Sequence, residues 1–265
     1  DKPLGAYRDA EFSGKIPLLP VTTLITNDGR KLVISPHPMS YLGSSVLGKS
    51  LDEKYQTVDF LRFFENHNPL NLRFLTALRM TATFPFITPN VQLPTDPVME
   101  TMDTGLSDNF GVQDALRFTY VFQDWIKENT SGVVLVSIRD SEKFSEIQQK
   151  QPPTLLEKLF TPIKNIYINW DNVQTLNNEV LYNRMKETAP FPLERIEFEY
   201  STLQYLKEMG LADQEGVFNP NQQEILRASL NWRLTAREKK SIIDNIHSYK
   251  NQVSMEKLKA IDFLQ

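Results

Sequence analysis

Residues Val98 to Gly111 read Val-Met-Glu-Thr-Met-Asp-Thr-Gly-Leu-Ser-Asp-Asn-Phe-Gly, an apolar stretch that delivers one carboxylate, Asp103, into a run of turn-forming residues. A carboxylate that must accept a proton has to be fixed against a rigid element. Gly105, two residues on, lets the backbone turn so that neighbouring groups approach closely. With an unperturbed pKa of about 3.9, an aspartate is ionised at neutral pH and takes a hydroxyl proton when held within hydrogen-bond reach. The plainer use of such a residue is to cap the following helix. Asp108 and Asn109 stand immediately before that helix, where their side chains can accept from its free N–H groups and fix the turn that mounts Asp103.

Upstream lies a second segment, Ala77-Leu78-Arg79-Met80-Thr81-Ala82-Thr83-Phe84-Pro85-Phe86-Ile87-Thr88-Pro89. Together the two segments resemble the C-terminal half of the patatin-like phospholipase domain. In that family a small-residue helix end runs into an A-x-x-P-type loop and precedes a strand ending in D-x-G, then x-x-[ND]-N, then a helix. The resemblance implies a lipid acyl hydrolase in which an aspartate activates a serine directly, with no histidine between them, and water then cleaves the acyl-serine. Asp103 takes the place of that aspartate, with Gly105, Asp108 and Asn109 supporting its turn. A lipid or acyl-ester substrate is implied, a membrane surface is compatible as a partner, and no metal or organic cofactor is required. Phe84, Phe86, Ile87 and Phe110 could line an acyl-chain pocket, although core packing is the commoner use of each. Two positions depart from the family pattern: Thr104 stands where a further glycine is usual after the aspartate, and Gly111 replaces a proline common after the asparagine.

The larger departure is the nucleophile. A G-x-S-x-G elbow needs glycines four apart so that the serine sits on a sharp strand-to-helix turn. No two of the glycines here have that spacing. The nearest imitation, Gly43-Ser44-Ser45-Val46-Leu47-Gly48, follows Ser35-Pro36-His37-Pro38 rather than an apolar strand, which makes Ser45 a poor nucleophile. Adjacent glycines that would supply oxyanion donors are absent as well. The expectation is therefore a fragment of a larger enzyme, inactive alone, whose serine and glycine-rich loop precede Asp1. That first residue is not Met, which agrees with a cut piece. Two rivals remain. Met102-Asp103-Thr104-Gly105 spells the D-T-G of aspartic proteases, but those need two such aspartates, and no second D-[ST]-G exists. A non-catalytic patatin-like relative, acting as a binding or scaffold module, is the stronger alternative because fold does not fix function.

Composition narrows the partners. Lys+Arg 29 against Asp+Glu 33 leaves a net charge of -4, so no basic field points to nucleic acid. The short run Arg233, Arg237, Lys239 and Lys240 reads as a solvated helix face. Zero cysteines exclude disulfides and thiolate metal sites and fit a reducing compartment. His37, His67 and His247 show no paired ligand spacing. No stretch approaches the ~20 apolar residues that cross a bilayer, and no signal peptide follows Asp1, so the expected location is cytoplasmic or membrane-associated. Oligomeric state is left open.

The chain should form an α/β domain, with a partly parallel sheet flanked by helices over residues 1–150 and a mainly helical C-terminal region over 151–265. Ile16 to Ile25 reads as a strand, and Asn27-Asp28-Gly29-Arg30 as a hairpin turn into Lys31 to Ser35. A helix is expected over Thr57 to His67 and another from Asn68-Pro69 that ends before Phe84-Pro85, with a loop over Gln92 to Pro97 and a strand over Val98 to Met102. Val112 to Asn129 has the apolar circumference of a buried helix, stopped by Thr130-Ser131-Gly132. Val133 to Ile138 reads as a parallel core strand completing a strand-helix-strand layer. Helices follow at Leu155–Phe160, Val173–Lys186, Thr202–Met209 and Asn221–Ala228, with Arg195 to Tyr200 a strand returning to the sheet. Thr235-x-x-Glu238 is a capping box opening a helix to about Lys250, and a last helix spans Met255 to Phe263.

Overall fold

The computed structural model describes residues 1–43, 56–83, 88–140, 143, 155–200 and 233–261. The expected helices Thr202–Met209 and Asn221–Ala228, and the residues Ser45, Phe84, Phe86 and Ile87, lie outside the described residues. The fold is α/β, a mixed parallel and antiparallel sheet flanked by helices, with more helix toward the C-terminus. Contacts divide the chain into two compact units, Asp1–Trp125 with Ile166–Thr188, and Ile126–Asn165 with Ala189–Gln265. Among the described residues no helix is long and apolar enough to cross a membrane.

The first unit is built on β1 (Val21–Ile25), β2 (Lys31–Ile34), β3 (Thr57–Asp59), β4 (Val91–Leu93) and β5 (Met99–Asp103), in the order β3-β2-β1-β5-β4. The β1–β2 hairpin forms as its sequence dictates. Gly29 takes φ +77°, the Ile25 N–H donates to the Arg30 carbonyl at 2.8 Å, and Asp28 Oδ1 accepts from the Arg30 N–H at 3.0 Å. The strand starts only at Val21, because Pro17 and Pro20 have no N–H for a ladder, and Leu18 and Leu19 are exposed.

Thr57 to Asp59 is not helical. It pairs in parallel with β2, Lys31 opposite Thr57 and Val33 opposite Asp59, and α2 (Phe60–Phe63) begins only where Asp59 accepts from the Leu61 N–H at 2.9 Å. The stretch after Asn68 is a single 3-10 turn, and α3 (Phe74–Thr81) forms the helix proper. Part of the expected 92–97 loop, up to Leu93, is the edge strand β4. Leu32 and Ile34 on one face of β2 join Leu4, Val21, Ile25, Phe60, Phe64, Ala77, Met80 and Leu93 in the main core. Val33, on the opposite face, packs with Met39 and Leu42.

Downstream of β5 come a one-turn helix α4 (Gly105–Asp108), then α5 (Val112–Val121) and α6 (Gln123–Asn129). The expected single helix over 112–129 is thus broken at Phe122, whose ring turns onto Tyr41 at 5.0 Å. The two helices expected within 155–186 are one, α7 (Leu155–Thr188), of which Ile166–Thr188 belongs to the first unit.

In the second unit β6 (Val133–Arg139) and β7 (Leu193–Glu199) pair in parallel as a separate two-stranded sheet. This corrects the expected single layer: the neighbours of β5 are β1 and β4, both antiparallel, and β7 returns to β6. Helix α8 (Ala236–Asn245) opens with the capping box in full, Thr235 Oγ1 accepting from the Glu238 N–H and Glu238 accepting from the Thr235 N–H. It ends at Asn245, short of Lys250, and α9 (Tyr249–Ala260) packs on β7 through Asn251, whose side chain exchanges hydrogen bonds with both backbone groups of Glu199. Arg233, Arg237, Lys239 and Lys240 are exposed.

Candidate functional site

The two segments singled out in the sequence meet in space. Helix α3 packs on β1 and β5. The buried Thr23 hydroxyl of β1 lies between the Met80 carbonyl (2.9 Å) and the Met102 carbonyl (2.6 Å). One residue further along, the Asp103 N–H donates to the Thr83 carbonyl at 3.1 Å. The aspartate therefore leaves the sheet from a strand end tied to both β1 and the exit of α3.

Asp103 is half-buried, and its Oδ1 accepts from the Gly105 N–H at 2.7 Å. Among the described residues no other hydrogen bond reaches this carboxylate. Its pKa is raised above the ordinary 3.8 because burial penalises the charged form, partly offset by the Gly105 N–H. Among the described residues of the first unit, neither His37 nor His67 is hydrogen-bonded to it. His37 Nε2 faces Glu11 Oε2 at 3.4 Å, His67 lies edge-on to Phe64, and the His247 N–H donates to the Asp244 carbonyl.

The turn after Asp103 is held by side chains from three directions. The buried Thr104 hydroxyl donates to the Thr22 carbonyl at 2.7 Å. Lys31, at the start of β2 and only 4% exposed, places Nζ 3.5 Å from Asp108 Oδ2 and 2.5 Å from Asp114 Oδ1. Arg117 lies 3.7 Å from the same Asp114 oxygen and also bonds the Leu42 carbonyl and Gln56 Oε1. From α7, Gln174 bonds both the Gly105 carbonyl and the Asn109 N–H, and the Trp170 indole N–H donates to the Leu106 carbonyl. Burial pushes the Asp108 carboxyl up, while Lys31 opposes that shift.

No known family model matches this chain, and neither a curated protein nor a solved structure is significantly similar to it.

The roles expected within the turn separate. Asp108 does answer the next helix, accepting from the Asp114 N–H at 3.2 Å, the third residue of α5. Asn109 does not: its side chain donates to Asp171 Oδ1 at 3.2 Å, on the exposed side. Gly105 is not the residue with positive φ; that is Gly111, at φ +65°. Proline, locked near φ −65°, cannot take this conformation and could not donate the Gly111 N–H to the Asp108 carbonyl, which explains why proline is excluded here. Phe110 is partly buried. Sequence reasoning missed Lys31, Thr104 as a latch, and Gln174. A lysine opening a strand was the one visible signal among these, since a charge directly after a tight turn is usually solvated.

Proposed function

We propose that this chain carries the base of a serine-dependent lipid acyl hydrolase of the patatin-like type, with Asp103 as the aspartate of a Ser-Asp dyad and the serine supplied from outside these 265 residues. The observation that supports it is the mounting of Asp103. Its carboxylate stands at a strand end, one oxygen oriented by the Gly105 N–H and the other without a hydrogen-bond partner among the described residues. That second oxygen is the acceptor a serine hydroxyl would need. Partial burial raises the carboxyl toward working pH and so strengthens it as a base.

In the reaction, serine Oγ attacks the ester carbonyl as Asp103 takes the hydroxyl proton, and the C–O bond to the alcohol breaks as Asp103 returns that proton to it. Water then attacks the acyl-serine, giving its proton to Asp103 and releasing the fatty acid, and the proton returns to serine. The test is labelling of the complete protein with a fluorophosphonate, which traps an activated serine. One labelled serine, with labelling lost in Asp103→Asn, is expected. A folded complete protein that neither labels nor hydrolyses nitrophenyl butyrate favours the non-catalytic binding module instead.

A further inference from the structure

A helix of four residues cannot satisfy its own carbonyls, because i to i+4 bonds need a longer run. In α4 the Gly105 and Leu106 carbonyls are met from α7, while those of Ser107 and Asp108 are taken by the Gln113 side chain and the Gly111 N–H. Gln174, buried to 5% exposure, donates from Nε2 to the Gly105 carbonyl at 2.8 Å and accepts the Asn109 N–H on Oε1 at 3.0 Å. One amide thus spans α4 from its first residue to its C-cap. Trp170, one turn earlier on the same face of α7, takes the Leu106 carbonyl, and Asp171 takes the Asn109 side chain. An amide suits both ends: a carboxylate cannot donate to the Gly105 carbonyl, and an apolar side chain would leave that buried carbonyl and the partly buried Asn109 N–H without this partner.

We propose that Gln174 is a positioning residue for Asp103: by clamping both ends of α4 it fixes Gly105, whose N–H orients the Asp103 carboxylate. This rests on the assignment of Asp103 as a base, but its test does not. The chain itself, isotopically labelled, is compared with Gln174→Met by amide hydrogen exchange and by a 13C titration of the Asp103 carboxyl. The expected result is exchange roughly tenfold faster at Gly105 and Asn109, unchanged exchange at Leu24 and Met102 in the sheet, and a shifted Asp103 midpoint. Wild-type exchange and an unmoved midpoint in a folded Gln174→Met chain overturn the proposal.

Should that variant fail to fold, Gln174→Glu decides. It retains the acceptor for the Asn109 N–H but has no donor for Gly105, so Asn109 should stay protected while Gly105 exchange quickens. Equal protection at both positions overturns the proposal. A wrong base assignment shows separately, as full hydrolysis by a complete Asp103→Asn enzyme, and leaves these two readouts untouched.

Discussion

Lys31 and Asp108 meet inside the first unit, ammonium to carboxylate at 3.5 Å, with side chains 5% and 1% exposed. The lysine comes from the strand after the hairpin and the aspartate from the end of α4, so the pair ties the sheet to the turn that carries Asp103. Desolvating these charges is costly, and it is offset by their mutual arrangement with Asp114 and by the backbone N–H groups of Gln113 and Asp114, which donate to Asp108.

Lys31→Met should therefore destabilise the chain by about 3 to 5 kcal/mol at neutral pH, because Asp108 loses its buried counter-charge and Asp114 keeps only Arg117, at 3.7 Å. The sign with pH follows from Asp108. Its folded pKa is already raised by burial and rises further without Lys31, so stability is lost as pH climbs from the unfolded carboxylate range through that raised value. Urea unfolding at neutral and mildly acidic pH checks this. A deficit that does not shrink on acidification removes the electrostatic explanation.

Thr104→Val keeps the volume of a buried side chain and removes the hydroxyl that donates to the Thr22 carbonyl. The expected cost is about 1 kcal/mol in equilibrium unfolding, with α4 amides more affected than those of β2. An unchanged midpoint would mean that water replaces the latch.

At Gly111 the added Cβ meets nothing within 4 Å, so any penalty is purely backbone. Gly111→Ala should cost about 1 kcal/mol, since φ +65° is strained for an L side chain, and Gly111→Asn less. Gly111→Pro, which cannot reach this φ, should be the worst of the three. Thermal melting of the set gives the order; proline tolerated as well as alanine would contradict the left-handed turn.

The strand ending at Asp103 and the turn after it were legible because the apolar-to-turn boundary is local. So was the Thr235 capping box, whose partners lie three residues apart. Thr57 to Asp59 was misread because three residues carry too little periodicity to separate strand from helix, and what makes them a strand is a distant partner, β2. The separation of β6 and β7 from the sheet of β5 is likewise a matter of pairing, invisible to local pattern. Gln174 gave no signal at all: a glutamine in a polar helix looks solvated until the fold sets it against a turn 65 residues away.

Asp103→Asn separates stability from chemistry. The amide oxygen can still accept the Gly105 N–H, so the turn keeps its geometry, while the charge that burial penalises is gone. Because the folded pKa of Asp103 lies above its ordinary 3.8, the fold favours the protonated form. Stability linked to this group is full below that value and lost as pH rises through the raised one. The neutral asparagine should therefore raise stability at neutral pH and flatten its dependence on pH across that window. In the complete protein the same substitution removes the proton acceptor, and acylation should fall by about 100- to 10,000-fold, the range for loss of a general base. Individual His37, His67 and His247 variants should leave acylation near wild type, since a Ser-Asp dyad needs no imidazole and, within the first unit, His37 faces Glu11 and His67 faces Phe64. Urea midpoints against pH on this chain, paired with single-turnover acylation by the complete protein, measure both halves. A variant more stable than wild type yet fully active would leave Asp103 as a strained structural residue and move the base elsewhere.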